Sequence, residues 1–347
     1  MTAKTTPETS PTLAVIGAGS WGTALAQLLG EKGSTVRLWV FEPEVFQSLK
    51  RDRVNATFLP GVTLSSRISF TQDFGEALSG AEVAVMAVPS HVFREVLGNL
   101  SPHLPPASVL LSATKGIETE TQLTMDGVSR EVLGAEVPYA VLGGPSFARE
   151  VVQKFPTAVT VACRDSKVAH RLQRLFSTSA FRVYTSYDVT GVELGGALKN
   201  IFAIGTGILE GMGMGDNPRA ALITRGLAEM TRLGLRLGAN PMTLSGLGGL
   251  GDLVLSCTSR QSRNFQVGLR LGQGETLTQI LAGTKMVAEG VKNSRAFHLL
   301  AQRLGVDMPL VEAVYHILYD DLAPKEAIKK LMSRQLRDEL EAMKETW

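Results

Sequence analysis

Leu13-Ala14-Val15-Ile16-Gly17-Ala18-Gly19-Ser20-Trp21-Gly22, running on through Thr23-Ala24-Leu25-Ala26-Gln27-Leu28-Leu29, is the stretch that decides the fold. The first four residues are a short apolar run, as a buried strand requires, and the last seven continue as a helix. Between them three glycines stand at GxGxxG spacing. Spacing alone is a weak signal, because glycine-rich turns occur for many reasons; placement between a strand and a helix makes it a strong one. Gly17 permits the tight turn, Gly19 lets backbone approach a pyrophosphate, and Gly22 lets the helix pack close to the strand. The helix N-terminus then offers free N–H groups and a partial positive charge to phosphates. The alternative is a bare strand–helix turn with no ligand.

Reading outward, residues 35–40 form a second strand that ends in Phe41-Glu42. Glu42 can bond a ribose 2′-hydroxyl and repel a 2′-phosphate, or it can begin the next helix with Pro43 in the first turn. Strand-like runs recur at 81–88, 108–113, 139–142, 157–162 and 181–185. A helix is expected over about 91–100, and a basic helix separates the last two strands. The turns Pro89-Ser90, Thr114-Lys115-Gly116 and Gly143-Gly144-Pro145-Ser146 follow strands, at the ends where open parallel sheets bind ligands. After about Val189 helical periods dominate to Trp347. The expected fold is an α/β N-terminal Rossmann-type domain over residues 12–189, then an all-α C-terminal domain over 190–347. Residues 1–11, rich in Thr, Pro and Ser, read as a disordered tail.

A chain of 347 residues is comfortable for two such domains. Its 35 Lys and Arg against 33 Asp and Glu leave a formal charge of +2, too balanced for a nucleic-acid protein. Single arginines are therefore read as local ligands for anions. Cys163 and Cys257 make neither a disulfide framework nor a metal-ligand spacing, which fits a reducing cytoplasm. No apolar run approaches the roughly 20 residues of a membrane helix, and the N-terminus lacks the apolar core of a secretory signal. The expectation is a soluble cytoplasmic protein with a small-molecule substrate, no bound metal, and neither nucleic acid nor integral membrane as partner.

Four groups could carry chemistry. In the segment 191–205 the apolar residues Val192, Leu194, Leu198, Ile201, Phe202 and Ile204 recur on nearly every side, so the helix is read as buried all round. It holds one lysine, Lys199, and the next cation is Arg219. Lys199 either loses hydration there, its pKa falling into a range useful for proton exchange, or runs its stem along the helix and reaches water. Lys115, just after a strand, can meet an anionic or carbonyl ligand, or be an exposed loop lysine. Asp252, closing Gly246-Leu247-Gly248-Gly249-Leu250-Gly251, can orient a lysine or a substrate hydroxyl, or cap the next helix. Ser259-Arg260-Gln261-Ser262-Arg263-Asn264 supplies the guanidinium, hydroxyl and amide donors that a phosphate monoester needs, or is a solvated helix start. Glycines 205, 207, 211, 213 and 215 are expected at close helix contacts and a turn.

These residues also carry a resemblance. Gly17 to Ala26, Val88-Pro89-Ser90, Ala113-Thr114-Lys115-Gly116 and Gly143-Gly144-Pro145-Ser146-Phe147-Ala148 resemble the bacterial NAD(P)-dependent glycerol-3-phosphate dehydrogenases. So do Asn55-Ala56-Thr57-Phe58-Leu59-Pro60-Gly61, Glu193 to Asn200, Gly248 to Asp252 and Ser262-Arg263-Asn264, all in the expected order between about Leu13 and Leu331. The resemblance implies hydride transfer between dihydroxyacetone phosphate and sn-glycerol 3-phosphate, supplying glycerophospholipid synthesis. It implies Lys199 as the catalytic proton donor and acceptor. Lys115, Gly144, Ser146, Asp252, Ser262, Arg263 and Asn264 fall on substrate positions. Ser20, Trp21, Lys115, Ala148, Arg263, Val287 and Glu289 fall on cofactor positions, beside the turn glycines Gly17, Gly19 and Gly22. The family often has Arg or His where this chain has Phe41, and Glu42 beside it does not help a 2′-phosphate, so NAD(H) and NADP(H) both stay open. A homodimer is allowed. Gly195 and Gly196 are expected to leave room for the nicotinamide. Two rivals remain: a β-hydroxyacid or ketopantoate-type dehydrogenase, which acts on carboxylates, and a non-catalytic NAD(P)-sensing module.

Overall fold

The computed structural model describes residues 11–283, 288–336 and 338–339; the expected disordered tail falls, apart from Pro11, outside the described residues. Pro11 itself accepts a hydrogen bond from the Thr35 amide. Ten strands follow in chain order: β1 (Thr12–Ile16), β2 (Thr35–Trp39), β3 (Val54–Asn55), β4 (Leu59–Thr63), β5 (Ile68–Thr71), β6 (Val83–Met86), β7 (Val109–Ser112), β8 (Tyr139–Gly143), β9 (Thr157–Cys163) and β10 (Phe181–Ser186). Eight of them form one sheet in the order β10-β9-β8-β7-β6-β1-β2-β5.

Alternate residues of the sheet feed two cores. Leu13 and Val15 join Leu25 and Leu29 of the Ser20–Glu31 helix on one face. Ala14 and Ile16 join Phe93 and Leu97 of the Phe93–Leu100 helix on the other. Coverage on both faces is why β6 is an unbroken apolar run and β7 is apolar up to Ser112, with every residue of both buried. The chain leaves β1 toward β2 on one side and returns to β6 on the other. That reversal opens a crevice beyond the carboxyl end of β1, where open sheets bind ligands.

Two features depart from the sequence reading. The sheet is not wholly parallel: β9 runs antiparallel to β8, and β10 is parallel to β9. Only one five-residue helix, Ala148–Val152, separates β8 from β9, so the chain turns back instead of crossing over to start a parallel strand. The second departure lies after β2. The family-like loop at 55–61 is a β3–β4 hairpin, and the edge strand β5 pairs with β2. β3 has only two residues, and Pro60 and Gly61 make β4 read as a turn.

Beyond Ser186 the described residues contain helices and no further strand. The first is the central helix, Val189–Gly211, 23 residues long and capped by the Asp188 carboxylate, which accepts from the Gly191 amide at 2.8 Å. By length and composition it is apolar enough to cross a membrane, contrary to the expectation that no such run exists. Its most apolar window is 100% buried within the protein, so protein neighbours satisfy that surface.

Glycines set how closely those neighbours approach. A Cβ on Gly207 would lie 2.1 Å from the Phe265 carbonyl oxygen, and one on Gly211 would lie 2.2 Å from that of Leu269. In return, Cβ atoms on Gly268 and Gly272 would strike the carbonyls of Ile204 and Ile208 at 2.0 and 2.3 Å. The central helix and the Arg263–Gly272 helix therefore run side by side with backbone against backbone. A second contact of this kind faces the Leu247–Gly251 turn, where a Cβ on Gly195 would meet the Gly248 oxygen at 2.2 Å.

Candidate active site

The crevice at the end of β1 is lined by the glycine turn. Gly17 adopts φ +110, which side chains rarely allow, and a Cβ there would strike the Ala87 carbonyl at 2.7 Å. A Cβ on Gly22 would lie 2.0 Å from the Gly17 oxygen, so only glycine lets this helix start against the turn. At Gly19 the space beyond the backbone is open to 4 Å. A tight turn, an open backbone edge and the first N–H groups of a 12-residue helix fit a dinucleotide pyrophosphate. The hairpin braces this turn: Asn55 donates to the Ala18 carbonyl and the Thr23 hydroxyl at 2.7 and 2.8 Å, and Ser20 Oγ donates to the Phe58 carbonyl. Trp21 is partly buried against the sheet core, and its indole N–H has no partner among the described residues.

At the end of β2, Phe41 is 71% exposed, with its ring 6.1 Å from that of Trp39. Glu42 is the N-cap residue of the Pro43–Asp52 helix, with Pro43 in the first turn and no side-chain cap bond. It therefore begins a helix, and its carboxylate is not used in doing so. Ala148 opens the Ala148–Val152 helix. Val287 lies outside the described residues.

The lysine of the central helix is buried, at 7% exposure, and its ammonium meets the Asp252 carboxylate. Asp252 is fully buried and also takes Lys115 Nζ at 2.7 Å. Lys115 in turn donates to the Gly144 carbonyl at 3.2 Å. Two cations thus share one carboxylate where the ends of β7 and β8 meet the helical half. Burial above all, with Lys115 beside it, lowers the Lys199 pKa to about 8 against the opposing pull of Asp252. The solvent-reaching alternative for Lys199 does not hold, nor does helix capping for Asp252: the cap position is Gly251, and the carboxylate points to the lysines. The approach follows from packing. Gly195 touches Gly248, and one turn further along each segment Lys199 meets Asp252. The Leu247–Gly251 segment is a single π-helical turn, a form often found at functional sites.

The glycine expectation is corrected in part. Gly195 serves this helix contact, whereas a Cβ on Gly196 would face the Lys115 stem at 3.6 Å and so lies on the site's side. Of the five glycines at 205 to 215, 207 and 211 sit at the helix seam and 213 in a turn at φ +71, as expected; Gly205 faces the Leu222 side chain, and nothing lies within 4 Å of a Cβ on Gly215.

The donor cluster sits at the start of the Arg263–Gly272 helix. Ser262 caps it, its hydroxyl accepting from the Phe265 amide at 3.3 Å. Asn264 is buried and committed on both sides, donating to Asn200 Oδ1 at 2.8 Å and accepting from the Gly290 amide at 2.9 Å. Arg263 keeps solvent-exposed surface but stands among enough protein that burial lowers its pKa, against the pull of Glu289. Glu289 accepts from the Ser90 amide and hydroxyl at 3.0 and 2.6 Å, which joins the turn after β6 to the helical half. Gly144 holds φ +130, and Ser146 Oγ donates to its carbonyl at 3.0 Å.

The structure thus gathers Lys115, Gly144, Lys199 and Asp252 in one cluster and ties Asn264 to it through Asn200. Arg263 stands near Glu289, while Phe41 lies apart at the end of β2. Sequence reasoning passed over Asn293, fully buried, which donates to the Ala197 and Lys115 carbonyls at 3.3 and 3.5 Å. A lone Asn in a helical period gives no signal of its own. Cys257 is also close, but burial pushes its thiol up to about 12 and removes it as a nucleophile.

Comparison with known proteins agrees over both halves of the chain. The family profile for the NAD-dependent glycerol-3-phosphate dehydrogenase N-terminus matches residues 12–169, and that for the C-terminus matches 188–329. A glycerol-3-phosphate dehydrogenase [NAD(P)+] of Geobacter sulfurreducens is 53% identical over 332 residues, 95% of this chain and 99% of that one. The enzyme of that name from Syntrophobacter fumaroxidans is 51% identical over 95% of this chain and 97% of its own. The crystal structure of glycerol-3-phosphate dehydrogenase from Coxiella burnetii superposes with a TM-score of 0.91 at 41% identity, covering 94% and 99% of the two chains. A ketopantoate reductase from Ralstonia eutropha, at TM-score 0.59 and 17% identity over 91% and 99%, shares the fold alone. With both halves matched and half of all residues identical to enzymes of one activity, the chain belongs to the NAD-dependent glycerol-3-phosphate dehydrogenase family.

Proposed function

We propose that this chain interconverts dihydroxyacetone phosphate and sn-glycerol 3-phosphate with NAD(H) or NADP(H), with Lys199 as the group that exchanges the proton. The observation that carries the assignment is a buried lysine with its pKa lowered to about 8, paired to a fully buried carboxylate. When bound, the nicotinamide supplies or accepts the hydride. The Lys199 ammonium stabilises the oxyanion that develops on the substrate's carbonyl oxygen and then protonates it. In the oxidation direction the neutral amine takes the hydroxyl proton. Asp252 holds Lys199 and Lys115 in place, and Lys115 adds a second positive charge beside the reacting oxygen.

Arg263, Ser262 and the first amides of the Arg263–Gly272 helix receive the phosphate. Asn264 fixes that helix start to Asn200, and the second N–H of its side-chain amide is left to donate to the phosphate. Gly144 and Ser146 line the substrate's other side. Gly17, Gly19, Ser20, Trp21, Gly22 and Ala148 hold the dinucleotide, with Phe41 at its adenosine end. Glu289 and Arg263 close over it. Phosphate binding far from the reacting carbon supplies orientation there. Residues 12–189 and 190–347 are the two working domains, supported by separate sheet and helical cores. A cytoplasmic location is supported by two free, buried thiols.

Nicotinamide oxidation assayed with dihydroxyacetone phosphate against 2-keto acids tests this reading. Turnover with the triose phosphate is expected; turnover with keto acids alone would transfer the site to the carboxylate-reducing relatives. Binding of cofactor with no turnover on either would leave a sensing module.

A further inference from the structure

A groove lies away from the cleft, on the far side of the central helix. It encloses about 380 Å³ and is walled by Phe202, Leu222, Leu310, Ile317 and Leu331. Its charged rim is Arg225, Arg232 and Arg334 against Glu229 and Asp307. The carboxylates are committed elsewhere. Glu229 accepts from the Leu310 and Val311 amides at 2.7 and 3.2 Å, capping the Pro309–Tyr319 helix. Asp307 takes both oxygens to Arg334 at 2.9 and 2.7 Å. Burial also holds the Glu229 carboxyl up to about 8, so it adds little negative charge at neutral pH. Arg225 is exposed and donates only to a backbone carbonyl, that of Glu339 at 3.4 Å, with no carboxylate partner among the described residues.

An apolar trough of this volume, within the range of about 300–1,000 Å³ typical of ligand sites, thus ends in excess positive charge. We propose that the groove binds a single-chain amphiphile with an anionic head, the alkyl or acyl chain lying along Phe202, Leu222 and Ile317 and the carboxylate or phosphate meeting Arg225 and Arg232. A neutral apolar ligand leaves those guanidinium groups unused. A cationic amphiphile is repelled by them. The site is independent of the dehydrogenase cleft, since none of its lining residues belongs to the cofactor or substrate set.

Isothermal titration of the full chain with laurate and with dodecyl phosphate, each below its micelle concentration, tests the proposal. One saturating site is expected for both. Octanoate should bind more weakly by about fourfold per methylene removed, and dodecyltrimethylammonium at least tenfold more weakly than laurate. Arg225→Glu should weaken laurate at least tenfold and Ile317→Trp should abolish its binding, both with normal turnover. Four results overturn the proposal: no saturation, equal affinity for the cationic amphiphile, laurate affinity unchanged in Arg225→Glu, or binding seen only after removal of residues 340–347. The last would give the groove to the chain's own C-terminal segment.

Discussion

Asp252→Asn isolates what the shared carboxylate does. The amide keeps the shape of the side chain but leaves Lys199 facing Lys115 with no anion between them. An opposite charge at hydrogen-bond range moves a pKa by about 1–3 units. Without it, Lys199 should fall from about 8 to roughly 5–7. Ketone reduction needs the protonated lysine, so the wild-type rate should decline as pH rises through about 8. In the variant that descending limb should move at least one unit toward acid. At pH 7 the protonated fraction then drops from about nine-tenths to about one-tenth or less for a shift of two units or more, and lost orientation adds to the loss. Oxidation of glycerol 3-phosphate should show the mirror image, its rising limb displaced the same way. The measurement is kcat against pH in both directions, followed by nicotinamide absorbance, with thermal melts in parallel. Breaking a buried ion pair costs about 3–5 kcal/mol, part of which Lys199 can relieve by discharging. A reduction limb that stays where it is in a folded variant would refute the coupling between these groups.

Lys199→Ala should lower turnover by orders of magnitude with little change in cofactor affinity, measured by steady-state kinetics and cofactor titration; near-normal turnover would dismiss its role in proton exchange. Arg263→Ala should mainly raise KM for the triose phosphate, by roughly tenfold or more if one charge-assisted bond is lost, and an unchanged KM would count against the phosphate assignment. Gly207→Ala places a methyl 2.1 Å from the Phe265 carbonyl; denaturant unfolding should show a loss of at least about 1–3 kcal/mol, whereas wild-type stability would contradict the close helix contact.

The two halves of the molecule were legible in the sequence for different reasons. The glycine turn after Ile16 announced itself because strand, glycine spacing and helix are all local. Lys199 stood out because a cation in an all-round apolar helix has few structural uses. Strand direction was not legible, since β9 is as apolar whichever way it runs, and β3 and β4 were hidden, the first by its two residues and the second by Pro60 and Gly61. Asp252 was found with lysine, substrate hydroxyl and helix cap all open to it, because its pairing with Lys199 depends on a contact between residues 53 positions apart in the chain. Asn264 was assigned to the substrate by its position, but its ties to Asn200 and Gly290 were not legible there. Local sequence reports which groups are available, but not which of them are already occupied.

The glycine seam between the central helix and the Arg263–Gly272 helix also acts as a ruler. With carbonyl oxygens at van der Waals contact across it, no side-chain rotamer can widen or narrow the gap. The spacing between the backbones that carry Lys199 and Arg263 is therefore set by the seam, and only the torsions of those two long side chains adjust the reach between amine and guanidinium. Widening that spacing beyond side-chain reach means separating the two helices, which breaks the contact along its whole length.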